Sequence, residues 1–378
     1  MTFTHDIIRT DTGESLVAID DPSESGWGRA LGMAAGQKRT VFQLGDSNAP
    51  KLDWLDLTRS WDRSIVTSWN GVPIYWGVIT GSRYVRAKKD WTVKHVDFRA
   101  LLSRRFTFGT NGYSGDTADN ILNLAGFSLK AMIPWIIWAG TQGATVNYNL
   151  PIRAETGLPL GSTAGDQSGP YTRKFQDFNF TTVEAGLQEV QTMPDGPDVD
   201  LEPKKDAITG RFFINLRVGS PLLAGTTWEF PLDSDEPALF DVEYECDGIK
   251  KRNVSFAVGT GSEMLMAVKT ARLATSSVAV EGFEEYKGKD DGDDALQSHA
   301  NADLATFSTA TEQWSAKMLT TGTEGGPSVA DLRMGDTFRL GSWGDPIIPD
   351  GWTPNILVAI DGDLSGSFTP TFQPIGGV

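Results

Sequence analysis

One cysteine, Cys246, and three histidines, His5, His95 and His299, are the whole stock of thiol and imidazole in 378 residues. A lone cysteine excludes an intrachain disulfide and any multi-cysteine zinc or iron–sulfur centre. The histidines stand far apart in sequence and fit no metal or nucleophile motif, and neither Gly-x-Ser-x-Gly nor His-Glu-x-x-His occurs. Positive charge is also scarce. Lys+Arg number 33 against 49 Asp+Glu, a formal charge of −16, so net charge repels polyanions and does not recruit nucleic acid. Long apolar runs are missing too. The richest, Met132-Ile133-Pro134-Trp135-Ile136-Ile137-Trp138-Ala139, falls far short of the ~20 residues of a membrane span. The opening MTFTHDIIRTDTGES lacks the basic-then-apolar pattern of a signal peptide. The expectation is a chain made in the cytoplasm and kept or assembled there.

What is present suits a folded protein. Hydrophobic residues make up 39% and charged residues 22%, enough to fill a core without staples. At ~100–200 residues per domain the length allows two or three domains. Glycine (41) and tryptophan (12) are plentiful. This composition leans toward a binding or structural protein and away from catalysis.

The patterning predicts α+β with β dominant. Residues 1–110 read as a first β domain, with candidate strands Arg39–Leu44, Ile65–Trp69, Val72–Ile79, Tyr84–Ala87 and Trp91–Val96. Asn70-Gly71 predicts a tight hairpin, because Asn-Gly accepts the positive φ of a type I′ turn; Gly81-Ser82 reads as another turn. Asp97 fits the N-cap of a short helix over Phe98–Arg104. Residues 111–205 read as a helical, loop-rich connection. Ala118, Ile121, Leu122, Ala125 and Leu129 recur at helical spacing, a Gly/Thr/Pro-rich stretch over 138–175 has no period, and Thr181-x-x-Glu184 is a capping box ahead of the stripe Val183, Leu187, Val190. Residues 206–378 return to β, with Phe212–Val218, Thr227–Phe230, Phe240–Cys246, Val254–Val258, the alternating Met264–Thr270 and Ser277–Val280, Gln313–Thr320, Thr337–Leu340 and Ile356–Ile360. One helix carries Leu296, Ala300, Leu304 and Phe307.

Each candidate motif has a plain structural reading beside its functional one. Gly259-Thr260-Gly261 opens like a dinucleotide fingerprint, but Met264 stands where the third glycine belongs. Gly288-Lys289 lacks the P-loop spacing. Asp290-Asp291-Gly292-Asp293-Asp294 offers calcium its oxygens without the EF-hand spacing; the plain reading is a solvated acidic turn, with Asp294 capping the helix behind it. Paired acids such as Asp361/Asp363 and Glu243/Glu245 are what a glycosidase needs only if they face each other across a cleft. Residues 83–105 form a basic island of Arg83, Arg86, Lys88, Lys89, Lys94, Arg99, Arg104 and Arg105, against Asp90 and Asp97, while 229–247 hold eight acids and no base. Trp135-Ile136-Ile137-Trp138 reads as core or as a subunit contact. No catalytic, cofactor-binding or metal-binding residue is assigned.

The order of features resembles the baseplate-hub or tail-hub family of long-tailed phages, in particular minor tail proteins of siphophages infecting actinobacteria. The resemblance rests on Trp76-Gly77-Val78-Ile79 followed by Val93–Val96, Asp97 and Leu101-Leu102-Ser103-Arg104-Arg105; on Thr117–Leu122; on the Val183–Val190 stripe, Asp198-Val199-Asp200 and Gly210–Val218; on Val258–Glu263, Glu281–Tyr286 and Leu296–Leu304; and on Leu332-Arg333-Met334-Gly335-Asp336-Thr337-Phe338-Arg339-Leu340. It covers roughly residues 30–365 by order and texture, and segment 131–175 has no counterpart in it. It implies two tail-tube-like β-barrel domains, 1–110 and 206–378, joined by the 111–205 segment. It further implies a homotrimer at the virion tail tip, assembled in the host cytoplasm and adjoining tail-tube, distal-tail and tape-measure proteins. DNA would pass through its lumen without specific binding. The family brings no catalytic residue and no cofactor. The competing readings are a tail-associated cell-envelope hydrolase and a carbohydrate-binding host-contact protein.

The acidic run 281–294 is expected to need no metal, so titrating calcium should leave the melting temperature unchanged. A calcium-dependent rise would reveal a native-state site.

Overall fold

The computed structural model describes the chain apart from residues 1, 20, 45–51, 109–120, 143–148, 156–159, 162–167, 194, 260, 262–264, 275–277, 287–292, 324–325 and 376–378, and apart from the side chains of residues 121 and 293–295. The architecture is mainly β. Contacts divide the chain into two compact units, Met1–Asp241 with Ala316–Phe372, and Val242–Ser315 with Gln373–Val378. The larger unit is therefore discontinuous in sequence.

The larger unit begins with a seven-stranded antiparallel sheet. Its spatial order is Ser15–Ile19, Phe3–Arg9, Arg63–Trp69, Val72–Val85, Asp90–Asp97, Lys38–Gln43 and Glu24–Ser25. The Asn70-Gly71 hairpin is present, with φ of 49° and 82° at its two turn residues. Gly81-Ser82 does not turn the chain. It follows a bulge after Ile79, and the expected strands Val72–Ile79 and Tyr84–Ala87 are one strand that bends and continues to Val85. Alternation splits this sheet between two cores. Val66, Trp76 and Val78 point to a large cluster that includes Phe98, Leu102 and the helices below. Ile65, Ile79, Trp91 and Val93 point to a smaller one around Phe42. Both faces are covered, so the central strand Arg63–Trp69 is buried along nearly its whole length.

The large core is closed by Phe98–Arg104, a 3-10 turn capped by Asp97, and by two helices, Leu129–Thr141 and Val183–Gln191. Val183, Leu187 and Val190 are fully buried, as their spacing predicts. The cap is Thr182, whose hydroxyl accepts from the Ala185 amide, not Thr181. The helical spacing at Ile121, Leu122 and Ala125 proves misleading. Ile121–Phe127 is a strand paired with Tyr171–Gln176, and the helix starts only after Ser128; Ala118 lies outside the described residues. The stretch read as aperiodic thus begins inside a helix and includes strands Ile152–Ala154 and Tyr171–Gln176.

A three-stranded sheet, Ile152–Ala154, Phe212–Val218 and Val199–Lys205, completes this core. The second seven-stranded sheet runs Thr227–Pro231, Thr337–Ser342, Gly351–Gly362, Ser367–Pro374, Thr311–Leu319, Phe240–Asp247, with Trp27–Ala30 added against Gly351–Gly362. The Gly335-Asp336 step explains why the Leu332–Leu340 passage has its form. Gly335 has φ of 86°, and a Cβ there would lie 2.5 Å from that of Leu223. Buried Asp336 accepts from the Thr226 amide (2.8 Å), the Arg333 amide (2.9 Å) and Trp228 Nε1 (3.1 Å). One carboxylate thereby aligns the parallel pair Thr227–Pro231 and Thr337–Ser342.

The smaller unit packs helix Asp293–Phe307 on strands Val268–Arg272, Val254–Val258 and Glu281–Glu285, through Ala257, Ala271, Leu296, Ala300 and Leu304. The strand expected at Ser277–Val280 lies instead at Glu281–Glu285, so the first part of the acidic run is an exposed strand and not a turn. Asp294 sits inside the first helical turn, where the expectation placed it ahead of the helix. Among the described residues no sheet closes into a barrel. In place of the expected pair of tube-like barrels the described residues form two open seven-stranded sheets, and the second takes in Trp27–Ala30 from the expected first domain.

Gly140 tests how tightly the two helices meet. A Cβ there would sit 2.2 Å from Val183 Cγ2 and 2.8 Å from the Phe106 carbonyl oxygen. Alanine would gain about 1 kcal/mol of helix propensity, yet overpacking costs about 1–3 kcal/mol and here involves backbone. Gly140→Ala is expected to destabilise the fold on balance, read as a lower denaturant midpoint with unchanged slope.

Candidate functional site

Two of the three histidines, remote in sequence, meet inside the first sheet. His5 Nε2 is hydrogen-bonded to Ser25 Oγ at 2.9 Å, Ser25 to Thr40 at 2.9 Å, Thr40 to His95 Nε2 at 3.1 Å, and His95 Nδ1 to the Tyr75 hydroxyl at 2.9 Å. Every member is buried. Gly77 leaves the room they need, since a Cβ there would lie 2.6 Å from both His95 Nδ1 and the Tyr75 oxygen. Burial lowers His5 to about 4 and His95 to about 3, so both rings are neutral in the fold. The hydrogen-bonded series is closed off from solvent and acts as a polar staple across five strands.

A second buried polar group surrounds Arg217. Its guanidinium donates to Asp200 (3.1 Å), to the Met334 carbonyl (2.7 Å) and to the Ala224 carbonyl (3.0 Å). Arg333 donates to both oxygens of Glu202, at 2.9 and 2.8 Å, and to Glu155 at 3.0 Å. Burial pushes the Asp97 carboxyl up to about 7 and raises Asp200. Glu202 is also raised by burial, but hydrogen bonds from Arg333 and Lys204 outweigh this and hold it at about 2.

The basic island does not stay together. Arg99 is buried, paired with Glu184 at 3.0 Å and donating to Gln191 and the Val199 carbonyl. Arg104 and Arg105 lie at one end of the sheet, in an open groove of about 800 Å³ shared with Arg9, Arg59 and Arg63. Arg9 pairs with Asp11 at 2.8 Å, and Arg59 and Arg63 pair with Asp56 at 2.6 and 3.2 Å. Arg104 lies over the ring of Trp61, 5.5 Å from its centroid. The groove offers cations and aromatic surface, and among its described lining residues there is no histidine or cysteine. Arg83, Arg86, Lys88, Lys89 and Lys94 gather around the far end of the hairpin made by Val72–Val85 and Asp90–Asp97, all exposed.

Of the acids in 229–247, Glu229 pairs with Arg339 and Asp241 with Lys317. Glu243 and Glu245 share one face of an exposed strand. Asp361 pairs with Lys38, and Asp363 accepts from the Ser365 amide. Neither candidate pair of acids spans a cleft. Ile136 and Ile137 are fully buried, Trp135 packs against the core, and Trp138 remains 41% exposed. Cys246 is exposed. Thr260, Met264, Gly288, Lys289 and Asp290 to Gly292 lie outside the described residues. Among the described residues no group of three or more His, Cys, Asp or Glu is placed to hold a metal ion, and no helix is long and apolar enough to cross a membrane.

No protein-family model matches the sequence, and no curated protein matches it. Solved structures do share its fold. The tail protein from Neisseria meningitidis MC58 aligns over 100% of this chain and 98% of its own, with a TM-score of 0.58 at 11% identity. The 43 kDa tail protein of prophage MuSo2 from Shewanella oneidensis aligns over 99% and 98%, at 0.57 and 8%. A chain of the Francisella PdpA-VgrG complex is matched over 100% of this chain and 58% of its own, at 0.51 and 9%. The fold is thus one found in tail proteins.

The histidine staple has a signed pH dependence. Folded values near 4 and 3 lie below the ordinary 6.5, so its stabilisation is complete above about pH 6.5 and is lost as pH falls toward those folded values. Asp97 acts in the opposite sense over part of this range, so a single variant isolates the effect. The advantage in melting temperature of the natural chain over His95→Gln is expected to be largest near pH 7.5 and to shrink steadily between pH 6.5 and 4. A constant gap would show that His95 does not titrate on unfolding.

Proposed function

We propose that the chain is a structural virion protein, a homotrimeric hub at the tail tip or baseplate that joins the tail tube to the tip. The observation that carries this is a near end-to-end match of fold to two tail proteins, in a chain with two open seven-stranded sheets. In this reading residues 1–110 and 206–378 supply two tube-like domains and 111–205 connects them. Three copies then present six such domains, matching a six-fold tube above to three-fold parts below. Closed rings of this kind use heterologous contacts, one patch against a different patch on the next copy.

The partners are distal-tail and tail-tube proteins, other tip proteins and the tape measure, in a siphophage minor-tail role. DNA passes without specific binding. It carries about one charge per 1.7 Å of axis, so a neutral or acidic lumen wall, in keeping with the −16 total, lets it slide. The protein is not an enzyme and takes no cofactor. Its paired acids are dispersed and its buried histidines are engaged with one another's neighbours, which supports this over an envelope hydrolase.

Mass photometry of the purified chain is expected to show trimers, and imaging of particles to place them at the tail tip. A strict monomer in the particle, or turnover of peptidoglycan abolished by one point substitution, would overturn the proposal.

A further inference from the structure

Among the described residues, two of the open strand edges carry opposite charge. The first belongs to Phe240–Asp247, the last strand in its sheet order. Asp241, Glu243, Glu245 and Asp247 alternate along it with Phe240, Val242, Tyr244 and Cys246. Side chains two apart share a face and stand roughly 6.6 Å from one another. From Glu243 onward one face of this strand is therefore a row of three carboxylates, Glu243, Glu245 and Asp247, none with an ion-pair partner among the described residues; Asp241, whose φ of 51° interrupts the alternation, pairs with Lys317 at 2.8 Å. The other face is apolar, with Tyr244 against Trp314 at 4.6 Å between ring centroids. From Glu243 to Asp247 every residue is exposed.

The second edge lies on the strand Val72–Val85. Its pairing with Arg63–Trp69 ends at Val78, whereas its pairing with Asp90–Asp97 continues to Val85. Among the described residues, 81–85 therefore have a strand on one side only. Around this overhang stand Arg83, Arg86, Lys88, Lys89 and Lys94, all exposed and none engaged in an ion pair. Most arginines elsewhere in the chain are matched to a carboxylate, as are Arg9, Arg39, Arg59, Arg63, Arg99 and Arg153. A concentration of unmatched cations on an acidic protein, beside unpaired backbone, is the counterpart of the first edge.

We propose that these two edges are the two halves of one contact between copies: the acidic strand Phe240–Asp247 of one copy adds to the basic overhang 81–85 of the next. Backbone hydrogen bonds supply the strand addition, and the opposed charges set register and speed encounter. The inference rests on the proposed self-assembling tail role and names the contact that role requires. Like edges repel, so the pairing is head to tail.

Two charge reversals and one cross-link test it. Glu243→Lys/Glu245→Lys/Asp247→Lys and Arg83→Glu/Arg86→Glu/Lys88→Glu/Lys89→Glu alter exposed side chains only, so each chain should keep its melting temperature. Each set alone is expected to weaken self-association at least tenfold by mass photometry, and both sets in one chain to restore it. Raising salt should weaken the natural chain's association and leave its melting temperature in place. Cys246 is the only native thiol. Cysteine placed singly at Ser82, Arg83 or Tyr84 should give covalent multimers with a short bis-maleimide from at least one position, and none once Cys246→Ser is added.

Association that survives both reversals, or the absence of any cross-link in a chain that still assembles, overturns the contact and leaves the tail-tip reading standing. A natural chain that stays monomeric up to its solubility limit overturns the contact as well. Variants that self-assemble normally but fail to enter tails would assign the edges to another tail protein and also refute the proposal. Absence of the natural chain from particles is the separate result that removes the tail reading.

Discussion

Arg217 is the constraint around which the larger unit is arranged. It is almost wholly buried, and so is its partner Asp200. A guanidinium removed from water is tolerated only when its donors are met, because an uncompensated buried charge costs several kcal/mol. Asp200 comes from the neighbouring strand, the Met334 carbonyl from the turn before Asp336, and the Ala224 carbonyl from the segment entering the second sheet. Two nearby pieces of chain and a third 117 residues away must therefore converge before this charge is satisfied. Arg333 repeats the arrangement one step away with Glu202 and Glu155. These bonds fix where the turn 333–336 lies, and that turn in turn aligns Thr227–Pro231 with Thr337–Ser342 through Asp336.

Much of the local structure was legible in the residues. The Asn70-Gly71 hairpin, the Asp97 cap, the buried stripe Val183, Leu187, Val190 and the helix through Leu296, Ala300 and Leu304 all follow from short-range rules of turn geometry, capping and periodicity. The failures share a cause. Ile121–Phe127 has apolar spacing that suits a helix, yet pairing with Tyr171–Gln176, far along the chain, decides its conformation. Leu129–Thr141 is helical despite Pro134 because four of its side chains, Met132, Ile133, Ile136 and Ile137, are completely buried. Tertiary burial outweighed local preference in both places.

The surfaces were less legible than the core. The basic island looked continuous in sequence, but strand, turn and 3-10 helix send its members to three environments: a buried pair at Arg99, a groove at Arg104 and Arg105, and an exposed hairpin end for the rest. The meeting of His5 with His95 had no sequence signature at all. It arises because strands Phe3–Arg9, Lys38–Gln43 and Asp90–Asp97 belong to one sheet, with Ser25 and Thr40 filling the distance between the rings.

The charged strand edges bear on the life of the chain before it meets a partner. An open edge with neutral side chains invites indiscriminate pairing, which leads to aggregates. Here three unpaired carboxylates guard one edge and a cluster of lysines and arginines surrounds the other, so two newly made copies approaching with the same edge foremost are pushed apart. In the proposed head-to-tail contact the same charges select a direction instead of blocking growth. A chain protected in this way can wait at low concentration in a crowded cell and still keep a polarity, so that any assembly it enters has a distinguishable leading and trailing side.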